Sequence, residues 1–150
     1  MPGGLLEAFI TSFLATIGFA AVLRAPQRSW IPASLIGSAG YVIYWLLLKA
    51  GMNDPNAIFI GSCAASLLAQ FTARRLQMIA TIFSVLAIIP CVPGYGLYQC
   101  MFYLGQGELS RGASIGVSAM ASILMIALGL AVGGFIFRFI MSVRQRHAQQ

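Results

Sequence analysis

Five long apolar runs, joined by turns of a few residues, decide what this chain can fold into. They cover residues 5–23, 30–48, 57–73, 76–104 and 113–137. An α-helix crosses roughly 30 Å of hydrocarbon with about 20 apolar residues. Each run is therefore close to one membrane span. Only 8% of the residues are charged, against 59% hydrophobic, whereas a soluble domain carries about 25% charge. A water-soluble fold would lack the residues for its polar shell. The expectation is an all-α polytopic integral membrane helix bundle, a single transmembrane domain over residues 1–150, with five spans and a basic cytoplasmic tail at 138–150.

The fourth run is the unusual one. It carries no charge, it is about nine residues longer than a straight span needs, and it contains Ile89-Pro90-Cys91-Val92-Pro93-Gly94-Tyr95-Gly96-Leu97-Tyr98. Each proline removes a backbone donor and clashes with the carbonyl one turn back, so the helix is expected to break at Pro90-Pro93-Gly94. Inside a bilayer, broken backbone survives only where it is buried in protein or lines a cavity. Pro90, Pro93, Gly94, Tyr95, Gly96, Tyr98 and Gln99 thus form a candidate substrate pathway. A simple proline kink flanked by interfacial tyrosines is the other reading of the same residues. If Pro93 opens the second half of the helix, the N–H groups of Tyr95, Gly96 and Leu97 face the break with the positive end of the helix dipole. That arrangement suits a carboxylate.

Charges between the runs give orientation. Arg24, Arg28, Arg74, Arg75, Arg138, Arg144 and Arg146 fall on one side and only Lys49 and Arg111 on the other. The positive-inside rule then places the N-terminus outside and the C-terminus in the cytoplasm of an inner membrane. The net charge of +6 is spread over the ends of apolar runs, without the interleaved aromatics of a nucleic-acid surface. The first run lacks the basic start of a signal peptide and is expected to stay as a helix.

Small residues recur at helical spacing. Gly112 and Gly116, and Gly129 and Gly133, match the small-xxx-small pattern of closely packed helices, and Gly37 with Gly40 thins the second run. Ser62, Ser66 and Gln70 share one helix face with Arg74, as do Ser114, Ser118 and Ser122, and read more readily as packing than as pore lining. Cys63, Cys91 and Cys100 have no metal-ligand spacing. The one histidine, His147, lies in the tail, and Glu7, Asp54 and Glu108 lie at run ends. No catalytic set, metal site or cofactor motif is expected, and no span carries a charge at its middle.

The motif from Ile89 to Tyr98, together with Leu35-Ile36-Gly37-Ser38-Ala39-Gly40-Tyr41 and the Ala25-Pro26-Gln27-Arg28 turn, resembles the threonine/serine exporter family over residues 19–137, and more closely the small five-helix component of its two-protein members. The resemblance implies an exporter of small carboxylate-bearing metabolites, such as threonine, serine or the dicarboxylate succinate. It also implies a larger partner subunit with its own helices and a cytosolic region; an oligomer in the lipid bilayer is a separate expectation. It leads one to expect asparagine just before the Pro26 turn, where this chain has Arg24. A non-transporting assembly subunit is the alternative, in which the glycine faces matter and the break does not.

Overall fold

The computed structural model describes residues 4–147, with side chains as far as Val143. It is helical throughout: α1 (Leu5–Val22), α2 (Gln27–Lys49), α3 (Asp54–Leu76), α4 (Ala80–Ile88), a 3₁₀ turn at Ile89–Cys91, α5 (Gly94–Gly105) and α6 (Leu109–His147). Helices α1, α2, α3 and α6 are each long and apolar enough to cross a membrane. The bent pair of α4 with its 3₁₀ turn and α5 makes a fifth crossing if counted as one span. The protein is a polytopic helical membrane protein.

Several boundaries differ from the sequence expectation, each for a local reason. The second helix opens at Gln27 rather than Trp30, directly after Pro26, and the third opens at Asp54 because Pro55 sits in its first turn, where no intrahelical donor is needed. Residues expected to start the fourth span end the third instead: Leu76 is the last residue of α3 and Gln77 turns left-handed. The fifth run begins at Leu109 and does not stop at Phe137. Nothing between Phe137 and His147 is glycine or proline, so the expected tail continues α6 instead. The side chains of Arg144, Arg146 and His147 lie outside the described residues, as do residues 148–150.

Four helices close by one device. At the ends of α1, α2, α3 and α5 the residue with positive φ is Arg24, Gly51, Gln77 and Gly107. At each, its N–H bonds the carbonyl three residues back, and the next N–H bonds the carbonyl five back, as in Met78 to Ala73 at 2.9 Å and Met52 to Leu47 at 3.1 Å. This is the Schellman closure, which glycine or asparagine enters most easily. The two glycines serve one end of the bundle, while Arg24 and Gln77 carry a Cβ through the left-handed region at the other. The asparagine expected before Pro26 therefore falls on a position whose backbone favours it. We predict that Arg24→Asn raises stability by about 0.5–1 kcal/mol, read as a higher melting temperature in detergent; a lower one would contradict the closure as the controlling feature.

The bundle is built on small residues. Ala20, Ala33, Ala65, Ala69, Ala73 and Ala87 are buried with Ile36, Phe83 and Leu86, because helices in lipid gain little from apolar burial and associate by close backbone packing. A Cβ added at Gly40 would lie 2.8 Å from the Ala65 Cβ, and one at Gly37 would lie 2.9 Å from Thr16 Oγ1. A Cβ added at Gly61, which stands in no small-xxx-small pair named above, would lie 3.0 Å from both the Gly40 carbonyl oxygen and the Tyr44 Cβ. The tightest seam joins α3 and α6, where Gly129 lies against Phe59 and Ser62, and Gly133 against Cys63 and Ser66. Ser66 Oγ donates across that seam to the Leu130 carbonyl at 3.1 Å. Buried Ser12, Thr16, Ser34 and Ser38 donate instead to carbonyls of their own helices.

Helices α3 and α6 run parallel, with Asp54 beside Ser122 at one end and Phe71 beside Phe137 toward the other. The 13 residues of α6 before Ser122 therefore reach about 20 Å beyond the start of α3 at 1.5 Å per residue. This extension pairs with α5: a Cβ on Gly96 would touch the Ala119 Cβ at 3.5 Å, and Gly116 and Gly112 face Cys100 and Leu104. No residue of α5 is buried. Helices α1 to α4 and the rest of α6 thus form a bundle from which the hairpin of α5 and early α6 projects.

Candidate functional site

Helix α4 ends where the prolines dictate. Pro90 has no N–H to continue the ladder, the chain tightens into a single 3₁₀ turn, and the Val92 N–H donates to the Ile89 carbonyl at 3.3 Å. Val92 is extended, Pro93 stands immediately before α5, and the helix restarts at Gly94. The two helical pieces meet at 56°. The expected break is present.

Its free donors differ from the expected set by one. The Leu97 N–H is not open, because it donates to the Pro93 carbonyl at 3.1 Å and makes the first bond of α5. The Gly94 N–H folds back on the Val92 carbonyl at 2.7 Å. Of the expected set, the N–H groups of Tyr95 and Gly96 have no backbone acceptor among the described residues. Both point toward the start of α5, where the helix dipole is positive.

The side chains do not gather around those donors as a single cluster. Tyr95 and Gln99, four apart on α5, bond each other, with Gln99 Nε2 donating to the Tyr95 hydroxyl at 2.9 Å. Tyr98 stacks on Phe102 with ring centroids 6.1 Å apart. Tyr95 and Tyr98 are 73% and 64% exposed, so both lie on the outer face of the projecting hairpin. Gly96 faces α6, and a Cβ at Gly94 would meet no atom within 4 Å. The inner side of the break is dry: Cys91 is buried with Ile58 and Ile126 against Tyr41, Tyr44 and Ile88.

Beside that dry side lies a constellation that the sequence does not bring together, since Asp54 stands at a run end, Ser122 on a helix face and Tyr44 within the second run. The Tyr44 hydroxyl on α2 donates to Asp54 Oδ1 at 2.6 Å, and Ser122 Oγ on α6 donates to Asp54 Oδ2 at 3.4 Å. The Tyr41 and Tyr44 rings lie 5.8 Å apart, and both pack toward Cys91. One carboxylate at the first residue of α3 therefore ties α2, α3 and α6 together next to the break. A charged acceptor strengthens both bonds. The usable sequence signal was a lone acid opening a helix behind a tyrosine-bearing span.

Among the described residues, no group of histidine, cysteine or acidic side chains could hold a metal ion. The site offers backbone donors, phenols and one carboxylate. Each of these groups can hydrogen-bond a polar partner.

Residues 8–136 match the model of a family described as "Threonine/Serine exporter, ThrE". An uncharacterized protein of Haemophilus influenzae is 26% identical over 141 residues, which cover 89% of this chain and 48% of the relative. The chain spans about half the length of that relative. No solved structure matches it. A family match over most of the chain, on a bundle of spans interrupted at the Pro-x-x-Pro-Gly motif, identifies this protein as a member of the threonine/serine exporter family.

Proposed function

We propose that the chain is the membrane subunit of an exporter for small carboxylate-bearing metabolites, threonine and serine or a dicarboxylate such as succinate, working with a larger partner subunit. The observation that carries this reading is the interrupted span itself. Two backbone donors at the start of α5 lack acceptors, and the free N–H groups and positive dipole of a helix start suit an anionic group. Discontinuous helices of secondary transporters hold anionic groups at such ends. The relative of twice the length supports a second half, supplied in this reading by the partner. The basic end of the bundle faces the cytoplasm, with the N-terminus outside and the inner membrane as the location.

The alternative, an assembly subunit recognised through its glycine faces, draws less support. Gly112 and Gly116 face α5, and Gly129 and Gly133 face α3 of the same chain, so those faces are already filled. The test is efflux of labelled threonine, serine and succinate from vesicles holding this chain with and without the larger subunit. Efflux of one of them only with both chains present is the expected result. Absence of efflux of all three with both chains inserted would contradict the proposal.

A further inference from the structure

The basic end of the bundle is where the chain's charge is least compensated. Arg24, Arg28, Arg74, Arg75 and Arg138 lie there, while Glu7, Asp54 and Glu108 are at helix starts or turns of the opposite end. Glu108 pairs with Arg111 on the projecting hairpin.

Within this end, a cavity of about 350 Å³ opens between α3 and α6, lined by Gln70, Leu130, Ala131, Gly134, Phe135 and Arg138. Two features make it more than a gap between helices. Gln70 is a polar side chain within an apolar span, half-buried and with no hydrogen bond from its amide among the described residues. Arg138 is one turn beyond Gly134 on the same helix face, and its guanidinium likewise has no partner among the described residues. Gly134 lines the cavity without a side chain. A Cβ there would reach only ordinary contact, 3.7 Å from Gln70 Nε2, so a branched residue could enter the space without displacing backbone.

We infer that Gln70 and Arg138 form an oxyanion site at the basic end of the α3–α6 seam, taking a carboxylate or a phosphate. A guanidinium presents paired N–H groups in the plane that a carboxylate or phosphate accepts, and the Gln70 amide adds a further neutral donor. The apolar wall of Leu130, Ala131 and Phe135 would accommodate a short carbon chain. This site is separate from the break, on which the export reading depends. A free carboxylate metabolite and the phosphate of an anionic lipid share the chemistry.

Equilibrium binding to the purified full chain tests this. In lipid-free detergent, titration with succinate reads a free carboxylate; retention of phosphatidylglycerol, read by native mass spectrometry, reads the lipid phosphate. Arg138→Gln and Gly134→Val should each weaken whichever probe binds by about tenfold, as loss of a charge-assisted pair or of its space requires. Gln70→Leu, which keeps the helix and the volume, should weaken it about threefold. Arg28→Gln, at the same end but away from the cavity, should leave it within about twofold. Succinate binding with this pattern assigns the site to a metabolite, and lipid retention alone with this pattern assigns it to the headgroup. Binding of neither probe overturns the site, as does equal weakening by Arg28→Gln, or insensitivity to both Gly134→Val and Gln70→Leu. Because binding is read without transport, lost efflux with this pattern intact would count against the export reading alone.

Discussion

Leucine in place of Gly129 is expected to abolish the folded protein. A Cβ at that position would lie 2.7 Å from the Phe59 carbonyl oxygen and 3.1 Å from the Cys63 nitrogen, and would overlap Ser62 Oγ. Two of these three atoms are backbone, in the middle of α3, and cannot rotate away. Even alanine must push the helices apart, and forced overpacking costs about 3 kcal/mol or more when the neighbours are rigid. That is a large part of the roughly 5–15 kcal/mol that keeps a domain folded. Gly116 gives the contrast. Its added Cβ would meet chiefly the Cys100 Sγ, at 2.8 Å, and a side chain can change rotamer. Gly129→Ala should therefore lower the melting temperature in detergent far more than Gly116→Ala, and Gly129→Leu should yield aggregate on size exclusion. A monodisperse Gly129→Leu protein with wild-type melting would mean that the α3–α6 seam is not packed as described.

The second large effect is expected on transport with the fold intact. A Cβ at Gly94 meets nothing within 4 Å, and the backbone there has no positive φ, so leucine can be accommodated. Its side chain would stand over the start of α5, where the Tyr95 and Gly96 N–H groups lack acceptors. Pro93→Ala acts differently, returning an N–H to the break and releasing the fixed φ that separates the 3₁₀ turn from α5. Both variants should insert in normal amount and lose efflux by about tenfold or more, equivalent to about 1.4 kcal/mol at the transport step. Normal efflux from both would leave the break as a bend with no part in the pathway.

The spans and the break were legible because both follow from strong local rules. Apolar length marks a crossing, and two prolines three apart cannot sit inside one helix. Boundaries were less legible, since Gln77 gives no composition signal for a left-handed closure and the six residues from Arg138 to Val143 give none for a stop. The Leu97 donor was misassigned because the fate of a single N–H depends on Pro93 standing just before α5 rather than in it. Asp54 was hidden for a different reason. At a run end it reads as a solvated loop acid, and its role arises from Tyr44, ten residues earlier, and Ser122, sixty-eight residues later. Gly61 was missed likewise, because its partner Gly40 is on another helix and leaves no spacing within one.

The central claim is that the interruption between α4 and α5 lines the solute path, and cysteine protection tests it most directly. Gly94→Cys, in a chain whose Cys63, Cys91 and Cys100 are replaced, would be labelled with a membrane-impermeant maleimide in vesicles that also hold the larger subunit. The account predicts that the exported solute slows labelling at position 94 and leaves a cysteine at Gly18, where an added Cβ also meets no atom within 4 Å, unaffected. A labelling rate at position 94 that does not change in the presence of a solute shown to be exported would contradict it.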